Sequence, residues 1–394
     1  MGMFSYQVLL AAQGWEPSSG SRLVIAALLG LAVLLVLIIK AKVQPIISIL
    51  ISAIAIGLFA GMPFGMIVDS VGTGIGNTLK GIALLIGLGS MFGAILEISG
   101  GAQRIAITMV DKFGENKAAW ALGITGLIIA MPVFFDAGLI ILIPLAFSLA
   151  KRTKKSTLIY AIPLLAGLAV GHAFIPPTPG PILVANLLGV ELGYVIGVGI
   201  VVGALAMIVA GPIFGKYIGN KIMTPVPKSI DELMEHDPKK LPSFLTVVSI
   251  ILIPLVLILL NTLSKAVPAL AGVQPLFGFL GEPFVALLLA TVTAMLILGI
   301  KNGYSKEELE KIMTKSLEPT GMILLVTAGG GVLRYILQDS GLGEIIGGAV
   351  SSSALPLVVI AFVVAALVRI SIGSATVSMT MAAGIISAMP EIAN

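Results

Sequence analysis

Apolar runs long enough to cross a membrane recur along the whole sequence, and this feature decides the class of fold. A run of about 17 to 20 residues, rising 1.5 Å per residue, crosses a hydrocarbon core roughly 30 Å thick. The clearest runs cover residues 22–39, 43–61, 81–97, 191–213, 244–262, 283–300 and 317–337. Because 58% of the residues are hydrophobic and only 11% are charged, no large water-soluble domain fits between the runs. The sequence predicts an all-α polytopic membrane protein with an external N-terminal segment at residues 1–21.

Composition also narrows the chemistry that the chain can perform. It contains no cysteine and two histidines, so we expect neither disulfides nor a bound metal ion, and no cofactor. The run GTGIGNTLKG, residues 72–81, lacks the Gly-Lys-Ser/Thr ending of a phosphate-binding loop and is more typical of a glycine-rich external segment. The net charge of +4 lies mainly in loops, which indicates contact with lipid headgroups and not with nucleic acid.

Residues 118–150 form an apolar stretch that is too long for one helix and is interrupted in its middle by MPVFFDAG. Each half holds about 13 residues and reaches only roughly 20 Å, which is too little to span the membrane. Lys117 precedes the stretch and KRTKK, residues 151–155, follows it, so the positive-inside rule places both ends in the cytoplasm. The pattern predicts a re-entrant hairpin that turns at Pro132–Asp136, a path tolerated only where protein or a cavity surrounds the backbone.

The positive-inside rule, applied crossing by crossing from an external N-terminus, orients the remaining loops. It places residues 62–80 outside the cell, and it places residues 301–316 and a linker at residues 214–243 in the cytoplasm. Both cytoplasmic loops carry a serine followed three residues later by a glutamate, which is a helix-start signal. The two pairs are Ser229 with Glu232 and Ser305 with Glu308. They predict short amphipathic helices on the cytoplasmic face, with plain surface connectors as the alternative.

An internal repeat relates two distant parts of the chain. LGSMFGAILEISGG, residues 88–101, resembles AGGGVLRYILQDSGLG, residues 328–343, around shared Ile-Leu and Ser-Gly pairs. The matched residues are Ile95 and Ile336, Leu96 and Leu337, Ser99 and Ser340, and Gly100 and Gly341. Because the charge count gives the two segments opposite directions, the repeats are predicted to have inverted topology, a recurrent plan of secondary transporters.

Each repeat is predicted to contain a re-entrant hairpin and a broken helix. The first repeat would cover residues 22–213, with the hairpin at 118–150 and the broken helix at 158–188. The second would cover residues 244–394, with its hairpin at 355–389. It stops about 40 residues short of the first, so we expect the second repeat to be C-terminally incomplete.

The second hairpin is predicted to enter from outside and to turn at SIGSATVS, residues 371–378, so that its tip meets the first tip at mid-membrane. Half-helices that begin or end at such tips leave N–H groups unpaired and aim their dipoles at the cavity, which favours an anion as the guest. Gly373 would allow close approach of the backbone, while Ser371, Ser374 and Thr376 offer hydroxyls to a carboxylate or a polyol. Alternatively, these hydroxyls only satisfy freed helix carbonyls.

Two charged residues near the hairpin tips require an explanation. Arg369 lies just before the second tip, at a depth where a guanidinium costs about 2.5 to 3.5 kcal/mol, so it needs a partner. A substrate carboxylate and Asp136 are the candidates, and an arginine that reaches the headgroups is the alternative. Asp136 lies in the first hairpin beside Phe134 and Phe135, and an apolar setting favours a neutral carboxyl group, which suits a proton carrier. Its alternative role is to cap the following half-helix.

A third irregular stretch is GHAFIPPTPGPILVAN, residues 171–186, in which four prolines interrupt an apolar run. Because proline lacks an N–H donor and clashes with the preceding turn, the stretch predicts a broken helix. His172 and Thr178 lie on the break and are candidates to face the cavity, and His172 is a second candidate for proton coupling. A hydrogen bond to a neighbouring helix is the alternative role of His172.

With these motifs in hand, the chain resembles the gluconate permease family of proton symporters over nearly its whole length. GLGSMFGAILEISGGAQRIA, PVFFDAGLIILIPLAF, GHAFIPPTPGPILVANLLG and RISIGSATVSMTMAAGII look like family signatures, and four such stretches in the family's order are more specific than one motif. The resemblance implies a fold of the ion-transporter superfamily type in the bacterial cytoplasmic membrane, and a homodimer as in superfamily relatives. The site that it implies consists of Asp136, His172, Thr178, Arg369, Ser374 and Thr376.

The resemblance also implies the substrate class, small hydroxylated monocarboxylates such as gluconate and related sugar acids, with D-serine in one branch. Our leading hypothesis is therefore proton-coupled uptake of gluconate or a similar acid, although the residues leave the choice of acid, and of protons or sodium, open. An intramembrane enzyme is the rival from another class, because a buried aspartate and histidine can do acid–base work. A channel is disfavoured, since two opposed hairpins suit an occluded site.

Overall fold

A computed structural model of the chain describes residues 17–226, 241–342, 345 and 356–387, and within these residues the regular structure is helical. We number the α-helices in chain order and omit the short 3-10 and π turns. The helices are α1 Gly20–Leu35, α2 Pro45–Ala60, α3 Phe64–Ile98, α4 Gly101–Phe113, α5 Ala118–Ile129, α6 Phe135–Thr153, α7 Leu158–Phe174, α8 Pro179–Leu187, α9 Leu192–Ile208, α10 Phe214–Lys221, α11 Phe244–Ala266, α12 Gln274–Leu280, α13 Pro283–Ala294, α14 Lys306–Ser316, α15 Thr320–Asp339, α16 Leu357–Ile372 and α17 Ala375–Ser387.

Within the described residues, seven helical segments are long and apolar enough to cross a membrane. They are Gly20–Lys40, Phe64–Ile98, Leu158–Leu187, Leu192–Lys221, Phe244–Ala266, Pro283–Asn302 and Lys306–Asp339. Large aliphatic side chains remain exposed along several of them, as Leu205 is at 60%, because lipid is their solvent. The all-α polytopic prediction is confirmed.

The interpretation of residues 62–80 as a glycine-rich segment between two spans is wrong, while the external position of these residues stays a prediction. Helix α3 runs without interruption from Phe64 to Ile98, and its 35 residues contain the whole glycine-rich run. The glycines serve helix packing: a Cβ atom on Gly74 would lie 2.7 Å from the Cα atom of Val332. Small residues let two backbones approach this closely, so glycine in an apolar segment indicated a helix crossing and not a loop.

The chain divides into two compact units. Unit 1 comprises Met1–Ala83, Asn186–Gly189 and Met322–Asn394, and unit 2 comprises Leu84–Ala185 and Val190–Gly321. The core of unit 1 is formed by α1, α2, the first part of α3 and α15, with fully or nearly fully buried residues that include Leu23, Ile49, Ala53, Val332 and Ile336. The core of unit 2 includes Phe92, Leu122, Leu142, Leu164 and Leu287.

Helices α5 and α7 form the tightest crossing in unit 2. A Cβ atom on Gly167 would lie 2.1 Å from the carbonyl oxygen of Gly123, and one on Gly126 would lie 2.7 Å from the carbonyl oxygen of Leu164. Real Cβ atoms do not approach other atoms so closely, so glycine is required at both positions. The crossing holds the first half-helix of the predicted hairpin against the first half of the predicted broken helix.

The two segments of the internal repeat have the same local structure. Helices α3 and α15 both end one residue before a serine whose hydroxyl donates to the carbonyl of a leucine three residues earlier, at 3.2 Å for Ser99 and 3.0 Å for Ser340. The following glycines, Gly100 and Gly341, both have positive φ angles, +68° and +80°. Left-handed glycine is a common helix stop, and its recurrence at matched positions supports the repeat.

The two helix-start signals have different outcomes. Ser305 and Glu308 form a capping box, with Glu308 N–H donating to Ser305 Oγ at 3.1 Å, and they begin the amphipathic helix α14. This prediction is confirmed, whereas Ser229 and Glu232 lie outside the described residues. Ahead of them, helix α10 extends to Lys221, inside the segment predicted as a linker.

Candidate functional site

The first hairpin turns between α5 and α6, over residues 130–134. Pro132 and Val133 are buried there, and Val133 N–H donates to the carbonyl of Ile129 at 3.1 Å. Asp136 lies in the first turn of α6 and its side chain is exposed, so the described residues do not enclose it in the apolar setting expected from the sequence. An acidic residue in this position interacts favourably with the helix dipole, in line with the alternative role as a helix-start residue.

The broken helix runs from α7 to α8, and its break lies at residues 175–178. Thr178 is buried, and its hydroxyl donates to the carbonyl of Ile175 at 2.8 Å, which satisfies a backbone group freed by the break. His172 lies in the last turn of α7, where its ring centroid is 5.8 Å from that of Phe134. The hairpin turn and the broken helix therefore meet inside unit 2, and the role of His172 and Thr178 in a substrate site stays a prediction.

A recess opens where these elements meet. Eleven residues line it: Leu85, Gly89, Met131, Pro132, Val133, Phe134, His172, Pro177, Thr178, Pro179 and Leu287. The space between its walls is about 280 Å³ and includes open solvent. Both α6 and α8 begin at residues of its wall, so the positive ends of two helix dipoles border the recess and make it attractive to an anion. The wall itself is mainly apolar, which is typical of a small-molecule site.

The second hairpin turns between α16 and α17, at Gly373 and Ser374. Gly373 has φ +79°, and a Cβ atom placed on it would meet no atom within 4 Å. Glycine is therefore required for the left-handed conformation, and close backbone approach is not the reason. Ser374 begins α17, and its Oγ accepts a hydrogen bond from Val377 N–H at 3.4 Å.

The hydroxyls after this turn largely bond to backbone carbonyls of their own helix. Ser378 donates to the carbonyl of Ser374 at 2.7 Å, and Thr380 donates to that of Thr376 at 2.8 Å. The Thr376 side chain is buried, and Ser371 lies in the last turn of α16. Ser378 and Thr380 thus bond to the carbonyl four residues earlier, and the Ser374 carbonyl also accepts from Ser378 N–H, so it is not left unpaired by the break. Ser374 serves as a helix cap.

Arg369 is exposed, and its Nη1 donates to the carbonyl oxygen of Gly373. The sequence offered two candidate partners for Arg369, a substrate carboxylate and Asp136. The partner in the structure is a backbone carbonyl at the turn. Asp136 belongs to unit 2 and Arg369 to unit 1, and the same holds for the two hairpin turns. The meeting of the two tips stays a prediction.

Sequence reasoning overlooked two charged residues of α15, Arg334 and Asp339. Asp339 accepts a hydrogen bond from Ser70 Oγ at 2.6 Å. Arg334 is half-buried, and its Cβ atom lies 3.1 Å from the position that a Cβ atom of Gly384 would occupy. A charged residue inside an apolar span was the available signal, because such residues are costly and are usually functional. Among the described residues, no cluster of histidine, aspartate and glutamate could hold a metal ion.

Comparison with known proteins assigns the chain to a family. Residues 22–394 match the profile of the GntP family permeases. The chain belongs to this permease family. It is similar to the low-affinity gluconate transporter of Escherichia coli K12, with 38% identity over 94% of this chain and 82% of that protein. A gluconate permease of Pseudomonas aeruginosa is 35% identical over 94% of this chain and 83% of its own length. The Gnt-II system L-idonate transporter of Escherichia coli K12 is also 35% identical, over 92% and 82%.

Two solved structures share the fold of this GntP family permease. Neisseria gonorrhoeae MtrF, described as representing a class of antimetabolite efflux pumps, aligns with a TM-score of 0.58 and 17% identity over 83% of this chain and 70% of its own. The Alcanivorax borkumensis YdaH transporter aligns with a TM-score of 0.51 and 16% identity over 81% and 72%. At such identities the likeness concerns the fold alone.

Family membership settles the class of function. The protein is a transporter and not an enzyme, which excludes the intramembrane enzyme considered from the sequence. Bacterial relatives and seven candidate spans make it a multi-pass protein of the bacterial inner membrane. The family resemblance drawn from the four sequence stretches is confirmed.

Proposed function

We propose that this GntP family permease takes up gluconate or a related small hydroxylated monocarboxylate. The observation that carries the proposal is its 38% identity to a gluconate transporter over 94% of the chain. The recess in unit 2 supports it, because two helix N-termini favour an anion while Thr178 and His172 supply polar groups on an otherwise apolar wall. L-idonate is the second candidate, since a relative of similar identity is named as its transporter.

We assign the substrate site to the residues of the two hairpin turns and the broken helix. These are Asp136, His172, Thr178, Arg369, Ser371, Gly373, Ser374 and Thr376. Guanidinium carries five donors, so Arg369 can bond to the Gly373 carbonyl and still meet a carboxylate. The assignment rests on the inverted repeats, with hairpins re-entering from opposite faces, as the sequence predicts.

Uptake into proteoliposomes tests the substrate class. We expect labelled gluconate to accumulate when an inward proton gradient is imposed, and unlabelled gluconate, idonate, fructuronate, glycerate and D-serine to compete to different extents. Each assay is run with and without sodium, so that the coupling ion is identified in the same experiment. No uptake of any acid of the panel would contradict the proposal, and the order of competition selects the substrate.

For coupling, we propose that Asp136 or His172 carries the proton, so that a negative substrate and a proton cross together. Asp136→Asn is expected to keep exchange of labelled for unlabelled gluconate, because an asparagine amide can still hydrogen-bond to the substrate, but to abolish accumulation driven by a pH gradient. Comparing exchange with accumulation in the same vesicles measures this. Unchanged accumulation would remove Asp136 from the coupling role and leave His172 as the candidate, tested in the same way with His172→Gln.

Two finer features of the assembly are also proposals. A homodimer, as in superfamily relatives, predicts twice the mass of one chain in native mass spectrometry.

The re-entrant path of the first hairpin predicts that single cysteines at Lys117 and Lys154 are labelled from the same side by an impermeant maleimide. The natural absence of cysteine makes every such variant a single-label protein. Labelling from opposite sides would contradict the hairpin.

A further inference from the structure

Arg334 is a cation within a candidate membrane span, Lys306–Asp339. Its side chain is half-buried, and its Nε atom is buried without a hydrogen-bond partner. Among the described residues, no carboxylate forms an ion pair with it, and Asp339 of the same helix accepts a hydrogen bond from Ser70. A guanidinium at membrane depth costs several kcal/mol on some scales and is usually compensated by an anion or a cavity. In the described part of the chain, Arg334 therefore has no carboxylate to neutralise its charge.

The surroundings of Arg334 are shaped to accept it. Its stem packs against Gly384 of α17, where a Cβ atom would lie 3.1 Å from Arg334 Cβ and would crowd the arginine. The guanidinium carbon lies 5.6 Å from the ring centroid of Tyr335, whose hydroxyl accepts a hydrogen bond from Asn77 at 2.6 Å. All these residues belong to unit 1. Arg334 is thus seated beside the helix that follows the second hairpin turn.

The internal repeat relates Arg334 to a position at the first hairpin turn. Each matched pair of the repeat is separated by 241 residues, as Ser99 and Ser340 are. The same separation pairs Arg334 with Gly93 and Gly373 with Pro132. In unit 2, a Cβ atom on Gly93 would lie 3.6 Å from the carbonyl oxygen of Pro132, so this position contacts the turn. The second repeat has an arginine where the first has a glycine.

We propose that Arg334 binds the carboxylate of the transported acid and supplies the charge recognition of the second repeat. This inference rests on the proposed function, because it requires an anionic substrate. An arginine presents paired N–H groups that match a carboxylate in a bidentate bond, and in a site shielded from water such a bond is strong. The position that the repeat pairs with Arg334 is Gly93, which has no side chain, so this charge recognition would belong to the second repeat alone.

The test compares an acid with its neutral amide in reconstituted protein. Uptake of labelled gluconate is inhibited by unlabelled gluconate or by gluconamide, in which a neutral amide replaces the carboxylate. Arg334→Gln is expected to lower the affinity for gluconate by about thirtyfold or more, the range seen when one partner of a buried charge pair is removed. Inhibition by gluconamide should not change, so the preference for acid over amide falls by the same factor. Arg22→Gln is the matched control, because this arginine of unit 1 is exposed and donates to the carbonyl of Phe59.

Arg334→Lys keeps the charge without the paired donors and is expected to lose about tenfold in gluconate affinity. Arg334→Lys is also the backup variant if Arg334→Gln fails to reach the membrane. A lower preference for acid over amide in Arg334→Lys supports the inference, and an unchanged preference contradicts it. If both variants take up gluconate as well as the wild-type protein does and keep its acid-to-amide preference, the role of Arg334 is overturned while the proposed function stands. Wild-type protein that takes up no acid would overturn the proposed function together with this inference.

Discussion

The two hairpin turns of this permease follow the same plan but differ in how the surrounding chain holds them. The first, residues 130–134, is held from outside by α7 and the break behind it, and Pro132 and Val133 are buried. The second, at Gly373, is held from within the hairpin by one left-handed residue and by Arg369, which bonds to the Gly373 carbonyl.

The difference predicts that the two turns respond differently to substitution. The first turn borders the recess of unit 2 and is buried at Pro132 and Val133. The second turn is exposed at Gly373, and the guanidinium of Arg369 bonds to the Gly373 carbonyl. Changes at the first turn should therefore affect folding, and changes at the second should affect affinity for the acid.

The largest effect is expected from Gly167→Val, which attacks the crossing that holds the first turn. A Cβ atom there would lie 2.1 Å from the carbonyl oxygen of Gly123, so α5 and α7 cannot stay in place. We expect a loss of about 3 kcal/mol or more and little monodisperse protein by size-exclusion chromatography in detergent. Gly197→Val is the control, since that exposed glycine of α9 has open space around its Cβ position. Normal yield of Gly167→Val would show that the first turn does not depend on the crossing.

A smaller effect is expected from Arg369→Leu, which removes a cation from the second turn without disturbing a packed core. Because charge-assisted hydrogen bonds contribute strongly to anion binding, the affinity for gluconate should fall by about tenfold while insertion and yield are kept. Competition uptake measures the affinity, with Arg22→Leu as the control. Native affinity in Arg369→Leu would restrict Arg369 to holding the Gly373 carbonyl.

The smallest effect is expected from Gly373→Ala, because the space around the second turn is open. Only the positive φ angle opposes a side chain, and that conformation costs an alanine about 1 to 2 kcal/mol. Thermal melting in detergent should show a modest loss of stability, and Gly373→Asn, which tolerates the left-handed region, should lose less. Equal and large losses for both variants would mean that the second turn is enclosed like the first.

Much of the fold followed from the sequence, because bilayer thickness fixes span length and proline and glycine interrupt helices locally. The breaks near Pro132, Pro176 and Gly373, the helix start at Ser305 and the matched stops at Ser99 and Ser340 all depend on short-range chemistry. The glycine-rich run at residues 72–81 was misassigned for the opposite reason. Glycine permits both a loop and a close helix crossing, and only the partner, Val332, decides between them.

For the site, the sequence by itself determined which residue types are available at the breaks, since charged residues within apolar runs and helix-breaking prolines can be read from it. Tertiary structure decided that His172 meets Phe134 at the recess and that Asp136 is left exposed, whereas the bond from Arg369 to the Gly373 carbonyl joins residues only four apart. It also decided that Arg334, unremarked in the sequence, lacks a described carboxylate partner. Pairing depends on distance between side chains far apart in the chain, which no local pattern encodes.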